Sequence, residues 1–366
     1  MSLQPPKIKV IISGGGTGGH IFPAIAIAQA LLRLNPQNEL LFVGANGRME
    51  MEKVPAAGFR IVGLDIAGLQ RRFTLSNLLL PFKVVGSLLK ARSVVREFRP
   101  DVAVGVGGYA SGPLLFAAAG MNVPTLIQEQ NSFAGVTNRI LSRRAKRICV
   151  AYSGMEKYFS PEKTILTGNP VRSDLKDSGG KREEGMRHFG LVEGKPVVLV
   201  IGGSLGARTI NRAILAGKDK FEKEGVQVIW QTGKSGADYA AQSGPALKVF
   251  PFIQRMDLAY AVADVVVSRA GASSVSELAL AEKAAILIPS PNVAEDHQTK
   301  NAMALVREGA ALLVEDRQAE SELVDRVVEL LRDLPKRQDL SRKIAGFGKP
   351  DAADVIAGEI YKLSGK

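Results

Sequence analysis

The chain is poor in cysteine, histidine and aromatic side chains, and each scarcity excludes something. A single cysteine, Cys149, rules out an intramolecular disulfide and any cysteine-based metal site. It lies in the apolar run 148–151, where a buried, inert thiol in a reducing compartment is the expectation. Three histidines, at positions 20, 188 and 297, leave few groups that titrate near neutrality. Aromatics are 6% of the chain, and the basic residues accompany leucines rather than interleaved stacking rings, which argues against a nucleic-acid surface. No Asp-x-Asp pair occurs, so the carboxylate device that holds a metal on a pyrophosphate in many sugar transferases lacks obvious ligands. The uncharged stretch 102–128 reaches spanning length, but Gly105, Gly107, Gly108, Gly112, Pro113 and Gly120 break it into strand, loop, helix and strand. Lys7-Ile8-Lys9 leads into a strand, so neither a signal peptide nor a membrane span is expected.

Glycine, by contrast, is abundant where it matters. The segment Ser13-Gly14-Gly15-Gly16-Thr17-Gly18-Gly19-His20 joins the apolar run 8–12 to a helical pattern over 21–34. Small residues there let backbone N–H groups and the helix dipole meet an anion. Gly14, Gly16 and Gly19 satisfy the dinucleotide fingerprint, a weak signal alone. The acidic residue expected after the second strand to hold a ribose is missing, because that strand runs into Gly44-Ala45-Asn46-Gly47 and Glu39 sits at its wrong end. The loop therefore favours a phosphate-bearing or polar ligand over ordinary NAD. A glycine loop that only turns tightly is the plainer alternative.

Charge is uneven. The formal net charge is +12, and residues 1–170 carry 20 Lys+Arg against 9 Asp+Glu, while 171–366 are nearly balanced at 28 against 27. The excess suggests an anionic partner for the first half.

The strand, glycine loop and helix plan recurs at 196–215, through Gly202-Gly203-Ser204-Leu205-Gly206-Ala207. Further strands are expected at 40–43, 102–106 and 124–127, then at 226–230, 249–252, 264–268 and 285–289. Strands separated by helical patterns predict α/β architecture with two Rossmann-like, doubly wound parallel sheets. The expected domains are 1–168 and 169–350, facing across a cleft, with a final helix in 351–366 that could dock on either.

After the strand at 264–268 comes Arg269-Ala270-Gly271-Ala272-Ser273-Ser274-Val275-Ser276-Glu277, whose small residues leave room for a phosphate at a helix start. Glu277, one turn in, suits a ribose diol or, equally, an exposed dipole-stabilising acid. Asp296 reads as an N-cap, and Gln298 and Asn301 share one helix face suited to sugar hydroxyls. Helix termini and Arg172 are the groups available to neutralise a departing diphosphate.

Together the segments 15–20 (GGTGGH), 107–113 (GGYASGP), 129–138 (EQNSFAGVTN), 168–172 (GNPVR), 202–207 (GGSLGA), 268–277 and 296–302 resemble a GT-B glycosyltransferase. In their order and spacing they resemble the peptidoglycan family of UDP-N-acetylglucosamine:lipid I N-acetylglucosaminyltransferases. The resemblance implies transfer of GlcNAc from UDP-GlcNAc to lipid I, with no cofactor beyond that donor. It implies donor contacts at Thr17, Gly18, Gly19, Asn131, Arg172, Ser204, Ile253, Ala272, Ser273, Ser274, Val275, Ser276, Glu277 and Gln298. Glu277 would hold the ribose, the Ile253 backbone the uracil and Gln298 the sugar. The lipid-linked acceptor would lie near His20, Tyr109, Glu129 and Asn138. Two positions depart from the family pattern: Gln128 stands where histidine is frequent, and Leu205 where glutamine is.

An inverting displacement needs a base, and His20 or Glu129 could serve, the former being placed at the end of the acceptor-side glycine loop. A polyprenyl acceptor implies peripheral attachment at the cytoplasmic face of the bacterial plasma membrane. The segment 78–90, apolar with Lys83 and Lys90, flanked by Arg71, Arg72, Arg92, Arg96 and Arg99, suits an anionic leaflet; a helix packed on its own sheet is the alternative. Other cell-wall proteins are plausible partners. Competing functions are another nucleotide-sugar enzyme on this scaffold, such as a lipid glucosyltransferase or UDP-GlcNAc epimerase, and a catalytically silent nucleotide-sugar binder.

Overall fold

The computed structural model describes residues 5–66, 80–171, 175, 180–203, 205–293 and 296–366. Arg172, Ser204 and the part of the basic apolar segment before residue 80 lie outside the described residues, as do the side chains at 80–83. The chain divides into two units, residues 1–172 with 350–366 and residues 173–349.

Unit 1 alternates β1 (Lys9–Ser13), α1 (Gly18–Leu34), β2 (Glu39–Ala45), α2 (Glu50–Ala56), β3 (Ile61–Leu64), α3 (Leu80–Phe98), β4 (Val102–Gly105), α4 (Ser111–Gly120), β5 (Thr125–Glu129), α5 (Val136–Leu141), β6 (Arg147–Val150) and β7 (Thr164–Leu166). The strands form one parallel sheet in the order β3-β2-β1-β4-β5-β6-β7. Helices cover both faces, so the central strands are apolar throughout rather than alternating. Ile11, Val104 and Leu126 are all fully buried. The order reverses at β1, which pairs with β2 on one side and β4 on the other (Ile11 opposite Leu41 and Ala103). At such a switch point the loops leaving the strands diverge and open a crevice.

Unit 2 repeats the plan with α6 (Arg182–Phe189), β8 (Val197–Ile201), α7 (Arg208–Ala216), α8 (Lys218–Lys223), β9 (Gln227–Gln231), β10 (Leu247–Phe250), α9 (Met256–Val262), β11 (Val265–Ser268), α10 (Ala272–Leu280), β12 (Ala285–Leu287), α11 (His297–Val306), β13 (Leu312–Leu313), α12 (Ala319–Arg332) and α13 (Leu334–Ala345). Its parallel sheet runs β10-β9-β8-β11-β12-β13, reversing between β8 and β11. Trp230 on β9 is sealed in its core, with the indole N–H donating to Asn211.

Four strands, β3, β6, β7 and β13, were not anticipated from the sequence. Each has two to four residues. β3, β7 and β13 are sheet edges and β6 lies next to one, so they lack the long apolar run that marks a strand at the centre of a doubly covered sheet. The last helix, α14 (Ala352–Ser364), packs on unit 1. Ile356, Ala357 and Ile360 enter the core beside α1, and the Tyr361 hydroxyl bonds to Asn38. Cys149 is buried in β6, and burial pushes its thiol up to about 12, so it is inert as read from the sequence.

Candidate active site

In unit 1 the loops after β1, β2 and β4 converge. Gly16 has φ +84°, a conformation that costs other residues free energy and glycine little. The backbone then turns into α1, with Thr17 at the N-cap and Gly18 and Gly19 as the first helical residues. His20 follows, and its ring lies on the β4–α4 loop: a Cβ at Gly107 would stand 2.6 Å from its Cδ2. A Cβ at Gly108 would strike the Gly15 carbonyl, so the glycine pair of GGYASGP is required by contact with the first loop. Ser111 ties the two loops: its single hydroxyl proton lies between the carbonyls of Gly107 (Oγ to O 2.8 Å) and Ser13 (3.1 Å).

His20 Nδ1 is 3.1 Å from the Gly15 carbonyl oxygen and 3.3 Å from the Thr17 hydroxyl. A carbonyl only accepts, so this bond requires the proton on Nδ1. When the ring with that proton placement is neutral, Nε2 carries the lone pair, which is the form a general base needs. Tyr109, half exposed, stands on the β4–α4 loop with the Arg48 guanidinium 6.0 Å from its ring centre.

Glu129 and Asn138 are buried, at 2% and 4% exposure. The Glu129 carboxylate accepts from Asn138 Nδ2 (2.8 Å), from the backbone N–H groups of Asn131 and Gly135 (3.1 Å each) and from Asn131 Nδ2 (3.2 Å). Burial raises its pKa, while these donors oppose the rise. With four donors on two oxygens, the group holds the loop 130–136 in shape. Gln128 is wholly buried as well: it donates to Asn169 Oδ1 (2.9 Å) and accepts from Gln130. Asn169 in turn donates to the Gln130 carbonyl (3.0 Å). The position that departs from the family pattern therefore sits in a sealed amide network.

In unit 2 the glycine loop after β8 closes through Gly206 N–H donating to the Gly203 carbonyl (3.0 Å), and Leu205 projects into solvent at 64% exposure. Residues Ala272, Ser273, Ser274, Val275 and Ser276 open α10, whose N-cap is Gly271. Ser276 Oγ donates back to the Ala272 carbonyl (3.0 Å). Ser273 Oγ is sealed from solvent with no hydrogen-bond partner among the described residues, an available hydroxyl at a helix start. Glu277 accepts from the buried Tyr260 hydroxyl at 3.2 Å, which fixes its carboxylate. Gln298 Oε1 accepts from Ser290 N–H (2.9 Å), so its amide end is the donor available to a sugar hydroxyl. The Ile253 N–H donates to Gln231 Oε1 (2.9 Å), and a uracil contact through that N–H has to compete with Gln231.

Two readings of the α11 region are corrected. Asn301 is fully buried and donates to the Ala270 carbonyl (3.3 Å), so it braces the loop before α10 instead of reading sugar hydroxyls beside Gln298. Asp296 occupies the N-cap position in a left-handed conformation, but its carboxylate takes the Thr299 hydroxyl (2.6 Å) and caps no backbone N–H. The residues that the sequence reading missed are Glu50, Ser111, Gln231 and Tyr260, all buried and all bracing the groups above. Ser111 lies within the 107–113 segment without standing out in it, while Glu50, Gln231 and Tyr260 belong to no motif; only their contacts single them out. Glu39, as its position suggested, is held at the far end of β2 by Lys7 (2.6 Å) and Lys9 (3.0 Å).

Residues 10–150 match the glycosyltransferase family 28 N-terminal domain, and 197–356 match the glycosyltransferase family 28 C-terminal domain. The chain is 53% identical, over 98% of its length and 97% of the relative's, to a protein of Phocaeicola vulgatus named UDP-N-acetylglucosamine–N-acetylmuramyl-(pentapeptide) pyrophosphoryl-undecaprenol N-acetylglucosamine transferase. A Porphyromonas gingivalis protein of the same name is 54% identical over 98% of this chain and 96% of its own. The crystal structure of Acinetobacter baumannii MurG superposes with a TM-score of 0.77 at 28% identity, covering 98% of this chain and all of that one. A UDP-GlcNAc 2-epimerase from Neisseria meningitidis, 13% identical with a TM-score of 0.68 over 98% of this chain and all of its own, shares the fold. Matching domains in both halves, and near-complete coverage by relatives at more than half identity, place this chain in glycosyltransferase family 28, with the GT-B fold.

Proposed function

We infer that this chain is the inverting transferase that moves GlcNAc from UDP-GlcNAc to the MurNAc 4-hydroxyl of lipid I, forming the β-1,4-linked lipid II. The observation that carries this reading is the 53–54% identity, end to end, with transferases of that name. The acceptor oxygen attacks C1 of the donor sugar as its proton passes to Nε2 of His20. The bond from C1 to the β-phosphate breaks, and UDP leaves with the electron pair. Glu129, sealed and holding four donors, acts as a positioning group for residues 131–138 rather than as the base, and Tyr109 and Asn138 shape the acceptor side.

Thr17, Gly18, Gly19 and Asn131 line the donor's approach in unit 1. In unit 2, Ser204 and the residues opening α10 receive the diphosphate. Arg172 adds positive charge. Glu277 takes the ribose, the Ile253 backbone the uracil and Gln298 the sugar. Helix N-termini and Arg172 replace a metal as the counter-charge, which the lack of an Asp-x-Asp pair supports.

The protein attaches peripherally to an anionic leaflet, at the cytoplasmic face of the bacterial plasma membrane. Among the described residues no helix is long and apolar enough to cross a membrane. On α3, Ser87, Ala91 and Val95 face the core while Val84, Val85 and Leu89 are exposed beside Lys90 and Arg92. Phe116 on α4 and Val136 and Ile140 on α5 add exposed apolar surface, with Arg144 over the Phe116 ring at 4.6 Å.

The test is UDP release from UDP-GlcNAc and a lipid I analogue in excess EDTA. Wild type should turn over, and His20→Ala should lose about 10²- to 10⁴-fold in kcat with donor affinity intact. A wild-type protein that binds UDP-GlcNAc yet transfers nothing sinks the assignment in favour of a silent binder. Loss of turnover in EDTA that added divalent metal restores would remove the metal-free reading.

A further inference from the structure

The Gly15–Gly16 peptide is held from both ends. Its carbonyl accepts from His20 Nδ1 (3.1 Å), and its N–H donates to Glu50 Oε2 (2.8 Å). The other Glu50 oxygen accepts from the Ala45 N–H at the end of β2 (3.0 Å). Glu50 opens α2 and is 1% exposed. A buried carboxylate is costly unless its oxygens are satisfied, and here both lie on backbone donors. The two surrounding glycines make room for it: a Cβ at Gly15 would fall on the carboxylate, and a Cβ at Gly44 would lie 2.6 Å from Glu50 Cγ. Two loops are therefore built around this one side chain.

We propose that Glu50 is a positioning residue that orients His20 through the Gly15–Gly16 peptide, a carboxylate–amide–imidazole relay. A carboxylate on the N–H of an amide polarises the unit and makes its carbonyl a better acceptor, because linked hydrogen bonds reinforce one another. The strengthened carbonyl keeps the imidazole proton on Nδ1 and fixes the ring plane against Gly107. Nε2 is left with the lone pair, in one orientation. A carboxylate bonded directly to a histidine does the same work in hydrolytic triads; here one peptide group intervenes. The proposal rests on the reading of His20 as the base.

The probe is ¹⁵N NMR of the His20 ring, combined with the Glu50→Gln variant alone and with His20→Ala. Glutamine keeps the shape but must turn its NH₂ toward one of the two N–H donors. In the unmodified protein the ring should be the Nδ1–H tautomer, and Glu50→Gln should shift its nitrogen resonances toward a tautomer mixture. That variant should lose about 10²-fold in kcat, as a misplaced reacting group does, with KM for UDP-GlcNAc within about twofold of wild type. In the His20→Ala background the same substitution should cost less than about twofold, since groups acting as one unit are non-additive. An equal loss in both backgrounds, or unchanged ring resonances in Glu50→Gln, overturns the relay while leaving the base assignment standing. Full activity in His20→Ala overturns the base assignment and the relay with it. Should Glu50→Gln fail to fold, the unmodified protein still decides, because a ring found as the Nε2–H tautomer refutes the proposal.

Discussion

At the scale of single residues, the polar groups that matter most are those that touch no solvent. Gln128 donates to Asn169 and accepts from Gln130 inside unit 1, so a histidine at this position would have no access to a proton-bearing substrate. Gln128→His should therefore bring no gain in kcat. Gln128→Leu removes both bonds and should lower unfolding stability by about 1–3 kcal/mol for each, measured in urea. A stability unchanged within error would show that the network contributes nothing. Asp257 contributes acid sensitivity to unit 2. The Arg255 guanidinium, at 2.9 Å, and Lys181, at 3.0 Å, hold its carboxyl far below the usual carboxylate range. A depressed folded-state value stabilises the protein above the unfolded value of about 3.9, and that contribution drains away as pH falls from there. Asp257→Asn should flatten the acid limb of stability against pH; an unchanged limb would mean the pair contributes nothing there. None of these partnerships could be read from sequence, since glutamine and asparagine at 128, 130 and 169 look like ordinary polar residues until the fold encloses them.

At the scale of elements, each glycine loop was legible because strand, small residues and helix follow one another within a few positions. Its shape was not, because that depends on loops from elsewhere in the sheet. Gly107 and Gly108 read as a motif, yet their reason is the His20 ring and the Gly15 carbonyl, more than eighty residues earlier in the chain. Helix α3 shows the same division. Its apolar and basic composition was plain, while the split into a face packed on unit 1 (Ser87, Ala91, Val95) and an exposed one (Val84, Val85, Leu89) needed the fold. Each basic residue near an anionic leaflet contributes about 1 kcal/mol. Changing Lys83, Lys90 and Arg92 to Glu should therefore release the protein from anionic vesicles in sedimentation, with turnover of a water-soluble acceptor analogue retained. Unchanged sedimentation would refute this membrane surface.

At the scale of the whole molecule, the chain returns to unit 1 after completing unit 2. Ile356 and Ile360 of α14 are fully buried beside α1, and Asp354, Glu359 and Lys366 pair with Arg33, Arg147 and Asp101. The exposed pairs contribute little, so the apolar contact dominates. Ending the chain at residue 349 should cost unit 1 on the order of 5 kcal/mol, counting two isoleucines and the smaller residues around them. Trp230, the sole tryptophan, reports on unit 2. In the truncated protein, far-UV circular dichroism should show an early melting phase that tryptophan fluorescence does not follow. Coincident curves at the wild-type temperature would refute the anchoring role. The sequence by itself determined the two parallel sheets, the two glycine loops, the lone inert thiol and the basic character of the first half. Those follow from period, composition and spacing, which are local. Tertiary structure alone decided where α14 packs, which carboxylates are sealed, and that Glu50 and His20 grip opposite ends of one peptide. Burial and hydrogen-bond partnership belong to groups distant in the chain, and only the packed fold brings those groups within reach.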